Sequence, residues 1–231
     1  MNRFAGIVSD LLNLAWPNLC LLCDRPLVEG EKHLCLHCLY DLPKTDFKSF
    51  VINPAADRFL GKIPFEKAAA GYHYQKESNI QKVLELIKYQ GEKELGEKLT
   101  SFAGAKLLDK GFFEDIDILM PVPLHPEKAK RRGYNQSEWI AKGLSKVSGI
   151  PLDTNNLQRH IQNPTQTTKS IWERWQNVQG HFILNNPTAF KDKHILLIDD
   201  VLTSGSTLEA CGQAIQKVAE AKISFFALAM A

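Results

Sequence analysis

Two adjacent carboxylates, Asp199 and Asp200, followed by the small hydroxyl-rich run Thr203-Ser204-Gly205-Ser206-Thr207, are the residues whose types and spacing best suit chemistry in this chain. Backbone N–H groups at a helix start have no intrahelical partners, and with the helix dipole they favour an anion; small side chains let a phosphate dianion approach them. The carboxylates need a different partner. Beside a bound phosphate they would repel it unless each met something electropositive, such as ribose hydroxyls or magnesium, and a phosphorylated sugar satisfies both halves. An apolar strand ending in Asp-Asp also occurs in P-loop proteins, but that reading requires an upstream G-x-x-x-x-G-K-[ST], which the sequence lacks.

The elements that must position these groups are legible around them. Ile195-Leu196-Leu197-Ile198 is apolar without alternation, which predicts a parallel strand covered on both faces. Ser206 or Thr207 is expected to cap a helix that begins near Leu208. This strand, turn and helix start resemble the signature of type I phosphoribosyltransferases, which bind 5-phosphoribosyl-1-pyrophosphate. The resemblance implies that Asp199 and Asp200 hold the ribose hydroxyls and that Thr203, Ser204, Gly205, Ser206 and Thr207 hold the 5′-phosphate. Ser204 and Ser206 stand where that family often has Thr, Gly or Ala, and both keep the site small.

A second constellation lies near the N-terminus. Cys20-x2-Cys23 and Cys35-x2-Cys38 are separated by eleven residues. Each C-x-x-C turns two thiolates to one side, and two such turns supply the four sulfurs that tetrahedral zinc prefers. A disulfide pair is the alternative, and it belongs to an oxidising compartment. A closed four-sulfur shell leaves no open position, so the zinc is expected to be structural and to supply folding energy to a module too short for a core. His33 and His37 are expected outside the shell, and Cys211 as a small buried residue.

Between these motifs, Ile80, Val83, Leu84, Leu86 and Ile87 recur at three- and four-residue steps and predict a helix from Ser78 to Tyr89, with a second from Glu92 to Lys110. Ile116 to Met120 reads as a short strand ended by Pro121 and Pro123. A basic loop follows, carrying Lys128, Lys130, Arg131 and Arg132, before a helix that opens at Gln136 or Ser137 and runs to Val147. A charge run is ordinarily a solvated face. This one leaves the end of a parallel strand, where open α/β sheets gather their ligands, and a pyrophosphate there would need such cations.

The combination P-V-P-L-H, R-R-G-Y-N-Q, Leu157 with Arg159 and Gln166, Arg174 with Asn177, and I-D-D-V-L-T-S-G-S-T-L, all behind a double C-x-x-C, is similar to the ComF family of competence-associated proteins from about Leu11 onward. That resemblance implies an α/β protein with a type I phosphoribosyltransferase fold, a mostly parallel sheet with flanking helices, plus a small N-terminal zinc-ribbon module. It implies a role in DNA uptake and natural transformation through single-stranded DNA, with a competence helicase as partner. An active phosphoribosyltransferase with an unknown acceptor is the alternative. In either case Asp199, Asp200, Arg131 and Arg132 are the expected catalytic group, with magnesium as cofactor. Lys128, Lys130, Arg159 and Arg174 are the expected contacts to pyrophosphate or DNA. Trp172 and Trp175 flank Arg174, where packing is favoured over base stacking. A glutaminase activity is not expected, because residue 2 is Asn and the first cysteine, Cys20, sits inside a C-x-x-C.

A hydrophobic fraction of 44% with 23% charged residues allows one sizeable core and a small module, and argues against disorder. The formal charge of +2 is too weak to indicate nucleic acid, so any electrostatic footprint must be local. No apolar run approaches the ~18 residues of a membrane span. Met1 to Trp16 reads as an amphipathic helix and not a signal peptide, which leads to an expected cytoplasmic location. The proline-bearing stretch after Asp41 places the expected organisation at 1–45 for the zinc-ribbon module, 46–64 for a connector and 65–231 for the phosphoribosyltransferase-like domain.

Overall fold

The computed structural model describes residues 17–159 and 182–231. In chain order its elements are α1 (Leu36–Tyr40), β1 (Ala68–His73), α2 (Asn79–Tyr89), α3 (Lys93–Asp109), β2 (Ile118–Pro121), α4 (Pro126–Arg132), α5 (Gln136–Ser148), β3 (Leu157–Arg159), β4 (Phe182–Leu184), β5 (His194–Leu202), α6 (Ser206–Gln216) and β6 (Lys222–Met230). The expected helix Met1–Trp16, and Gln166, Trp172, Arg174, Trp175 and Asn177, lie outside the described residues.

The unalternating apolar run becomes the inner strand β5 of a parallel sheet ordered β1-β6-β5-β2. Ile195, Leu196, Leu197 and Ile198 are all fully buried, as a strand covered on both faces requires. Alternate residues serve different layers. Leu196 and Ile198 join Phe226 and Leu228 beneath α2, α3 and α5. Ile195 and Leu197 join Phe225 and Ala227 beneath α6, with Leu208, Cys211 and Ile215. Both sheet edges are extended by irregular chain: residues 43–45 hydrogen-bond to β1, and Leu152 bridges to Leu119 of β2.

Close packing of α3 on α5 depends on Gly143, where an added Cβ would lie 2.4 Å from the carbonyl oxygen of Glu97. The cysteine-bearing segment is docked into the same layer. Cys20, Leu34, Cys35, Cys38, Leu39 and Leu42 pack in one cluster with Tyr72, Ile80 and Leu95. His33 reinforces the docking through a 2.8 Å contact with Glu92, and its φ of 67° turns the chain there. Residues 46–64 bury Ala55, Ala56, Phe59 and Ile63 on the opposite face. Phe59 stacks on Phe225 with ring centroids 3.9 Å apart, a burial that contributes about 1.5–3 kcal/mol.

Two local expectations are corrected. The cations after β2 lie on a short helix, α4, because Pro126 sits at its first turn, the His125 side chain accepts from Glu127 N, and Gly133 closes it with φ 80°. The helix after the acidic pair begins at Ser206, two residues before Leu208, and neither Ser206 nor Thr207 caps it. Its cap position is Gly205, left-handed at φ 82°. Among the described residues no helix is long and apolar enough to cross a membrane.

Candidate functional site

Strand β5 extends through both acidic residues, Asp199 opposite Ala227 and Val201 opposite Ala229, so the carboxylates project from the carboxyl end of a rigid inner strand. Asp199 Oδ1 accepts from Ser137 Oγ at 3.0 Å and from the Asp200 backbone N–H at 2.8 Å. Asp200, 7% exposed, is paired through Oδ2 with Lys88 Nζ at 3.1 Å. Burial, and then the charge of Asp200, push the Asp199 carboxyl up to about 7, against the opposing pull of its two hydrogen bonds and of Lys88. A carboxylate neutralised by an ammonium beside one that titrates near neutrality is suited to hydroxyl ligands. It does not fit direct ligation of magnesium, because Lys88 already holds the charge that a divalent cation would have to displace.

The turn that follows exposes Thr203, Ser204, Ser206 and Thr207 while burying Gly205. A Cβ on Gly205 would meet the Phe59 ring at 3.0 Å and the Arg58 Cβ at 3.3 Å, so both its φ and its surroundings call for glycine. Ser204 Oγ lies 2.9 Å from Ser206 Oγ, and Lys62 Nζ donates to the Ser204 carbonyl at 3.3 Å. The Ser206 N–H donates to Ser204 Oγ at 3.4 Å, and with no side-chain cap from Gly205 the next N–H groups of α6, those of Thr207 and Leu208, are available to an anion.

Lys88, the partner of Asp200, lines a pocket of about 240 Å³ with Tyr89, Gly91, Arg131, Arg132 and Tyr134. Arg132 is steadied by Gln136 Oε1 and by the Tyr89 ring, 5.4 Å away. Tyr134 Oη donates to the Ile87 carbonyl, binding the α4–α5 turn to the end of α2. Of the four cations in the basic run, Arg131 and Arg132 line this pocket, whereas Lys128 and Lys130 are exposed on α4 outside its lining. Arg159 is on β3 with its guanidinium 5.4 Å from the Phe182 ring centre. Arg174 falls outside the described residues.

Lys88 and Ser137 are the functional side chains that sequence reasoning missed. The first left a signal. Counting from Ile80, the apolar stripe of α2 occupies the third, fourth and seventh positions on, and Lys88 stands at the eighth, a cation on the buried face. Ser137 read only as a residue at which α5 could open; the cap is Asn135, whose side chain accepts from Ser137 N at 3.1 Å and so leaves the fully buried hydroxyl free for Asp199.

At the other end of the described chain, Cys20, Cys23, Cys35 and Cys38 bring their sulfurs within 4.8 Å of one another. Zn–S bonds of about 2.3 Å in a tetrahedron give sulfur separations near 3.8 Å, and Cys23 Sγ and Cys35 Sγ are 3.7 Å apart. The Cys35 N–H points at Cys20 Sγ at 3.3 Å and the Cys38 N–H at Cys35 Sγ at 3.5 Å, contacts that favour thiolates. The donor set fits zinc. His33 and His37 are engaged elsewhere, with Glu92 and with Asp41 at 3.0 Å. Cys211 is buried in α6, its thiol pushed up by burial and then by the Asp199 charge.

A family profile for the phosphoribosyl transferase domain matches residues 130–230, from the end of α4 through β6. The chain is 34% identical over 116 residues to Competence protein F of Haemophilus influenzae, covering 50% of this chain and 51% of that protein, so the match spans about half the length of this relative. It is 24% identical over 226 residues to DNA utilization protein YhgH of Escherichia coli K12, covering 93% of this chain and 98% of that one. Competence protein ComFC of Bacillus subtilis is 28% identical over 152 residues, 64% of this chain and 59% of the relative. Among solved structures, an adenine phosphoribosyltransferase superposes with a TM-score of 0.39 at 15% identity, over 64% of this chain and 75% of that one. The parallel sheet with its flanking helices and the domain profile give the chain a phosphoribosyltransferase-type fold, and these relatives make it similar to the ComF family.

Proposed function

We propose that the protein binds 5-phosphoribosyl-1-pyrophosphate, or a nucleotide with the same 5′-phosphoribosyl part, and that it acts in the cytoplasm in the uptake or utilisation of DNA. The observation that carries this reading is what adjoins the acidic pair: an exposed hydroxyl turn that follows it in the chain at the start of α6, and a pocket walled by Lys88, Arg131 and Arg132 that shares Lys88 with Asp200. Thr203 to Thr207 receive the 5′-phosphate, Asp199 and Asp200 the ribose hydroxyls, and the cation pocket the pyrophosphate. Magnesium, supplying charge neutralisation, travels with the ligand's pyrophosphate.

The names of the relatives support the DNA role. Single-stranded DNA runs over the exposed cations of α4, Lys128 and Lys130, with Arg131, Arg159 and Arg174 as further contacts, and a competence helicase is the protein partner. Residues 1–45 form the zinc-ribbon module, 46–64 the connector and 65–231 the ligand-binding domain, the zinc serving structure alone. Calorimetry with phosphoribosyl pyrophosphate and magnesium tests the reading: wild type binds, and Asp199→Asn binds at least tenfold more weakly. No heat with wild type would overturn it.

The position of the cations favours a second reading, transfer of the phosphoribosyl group. The C1–O bond to pyrophosphate breaks, the oxygen keeps its electron pair, and a nitrogen lone pair forms the C1–N bond, while Arg131 and Arg132 offset the charge that grows on the leaving group. Pyrophosphate released with a panel of bases, and lost in Asp200→Asn, would establish it; silence across the panel would leave a binding protein.

A further inference from the structure

Lys88 belongs to two places at once. Its ammonium is 3.1 Å from Asp200 Oδ2, and the same residue lines the pocket of Arg131 and Arg132. Its side chain is 23% exposed and that of Asp200 10%, so the pair is largely sheltered from solvent, yet it opens to the pocket. The last turn of α2 holds the lysine there, anchored by the buried Ile87 before it and by the bond from Tyr134 to the Ile87 carbonyl. No other described cation forms an ion pair with the acidic dyad.

We propose that Lys88 is the positioning residue that makes this site select a diphosphate-bearing pentose over its monophosphate. In the free protein the ammonium neutralises Asp200. When ribose hydroxyls take over that carboxylate, the ammonium turns by a side-chain rotation to the pyrophosphate between it and Arg131 and Arg132. Binding at the two half-sites is then coupled through one charge. A ligand with hydroxyls and no pyrophosphate offers the ammonium no new partner and leaves it on Asp200, whereas a ligand with both satisfies every group.

The inference rests on the ligand class proposed above, and the test separates the two. Calorimetry compares phosphoribosyl pyrophosphate with ribose 5-phosphate, both with magnesium, on wild type, Lys88→Met and Lys88→Arg. Losing one charge-assisted contact weakens binding about tenfold to a hundredfold. Lys88→Met is therefore expected to lose that factor for the pyrophosphate ligand and to change ribose 5-phosphate affinity by less than threefold, with Lys88→Arg recovering most of the loss. Equal weakening of both ligands would show a merely structural role and overturn the inference, as would unchanged affinity for the pyrophosphate ligand. Absence of wild-type binding to either ligand would overturn the ligand class itself, and the inference with it. Should Lys88→Met fail to fold, wild-type protein labelled with 15N at the lysine side chains decides. The Lys88 ammonium signal must shift with phosphoribosyl pyrophosphate and stay near its free position with ribose 5-phosphate at matched saturation; the same shift with both would overturn the inference.

Discussion

Ser137 Oγ, wholly buried at the first turn of α5, donates a 3.0 Å hydrogen bond to Asp199 Oδ1 and so ties that helix to the acidic pair. The hydroxyl favours the charged carboxylate. Ser137→Ala is expected to cost about 1.5–3 kcal/mol of stability, the range for a hydrogen bond to a charged group, and to raise the Asp199 pKa further. Urea denaturation should show the larger loss at pH 8, where the carboxylate is ionised, and the smaller at pH 5.

Asp199 also makes stability depend on pH. Its carboxyl lies near 3.8 without the fold and is pushed up to about 7 by burial and by Asp200. Between those values the folded state binds more protons than the unfolded state, so stability contributed by this group is full below about pH 4 and lost as pH rises through about 7. Denaturation midpoints of wild type should fall by a larger amount between pH 5.5 and 8 than those of Asp199→Asn, in which the group cannot titrate. Parallel curves would contradict the assignment.

Gly205 carries the turn. Its φ of 82° disfavours any side chain, and a Cβ would press on Phe59 at 3.0 Å. Gly205→Val is expected to lower stability by roughly 1–3 kcal/mol, read as a drop in Tm, and to abolish ligand binding even at temperatures where the protein remains folded.

Much of this architecture was legible in the residues. Ile195 to Ile198 announced a doubly covered strand because no polar position interrupts them, and the two C-x-x-C pairs announced a four-sulfur cluster because sulfur count and spacing are local. What was not legible depends on tertiary contact. The ion pair between Lys88 and Asp200 joins positions far apart in the chain, and only the packing of α2 against the sheet brings them together. Ser137 read only as a place where α5 could open, beside the cap Asn135. The basic run read as a loop because Pro126 and Gly133 are punctuation in either structure, and a seven-residue helix is too short for a periodic signal.

The cysteine cluster shares its core with Tyr72, Ile80 and Leu95. Removal of zinc by a chelator, or Cys35→Ser, is therefore expected to unsettle α2 and α3 and not the cysteine segment alone. Metal analysis should find one zinc per chain, and hydrogen exchange after chelation should rise in residues 79–109. Exchange confined to residues 17–45 would contradict this coupling.

For the DNA role, affinity for a single-stranded oligonucleotide should fall steeply with salt. Each lost phosphate contact lowers the log–log slope by about 0.7, so Lys128→Ala with Lys130→Ala should reduce it by about 1.4. No binding at low salt would remove single-stranded DNA from the partners.

The most direct measurement is a crystal structure of the protein with phosphoribosyl pyrophosphate and magnesium. The expected density puts the 5′-phosphate on the amides of residues 203–207, the ribose hydroxyls on Asp199 and Asp200, and the pyrophosphate against Lys88, Arg131 and Arg132. A ligand bound elsewhere, or an empty turn at saturating concentration, would contradict the proposed site.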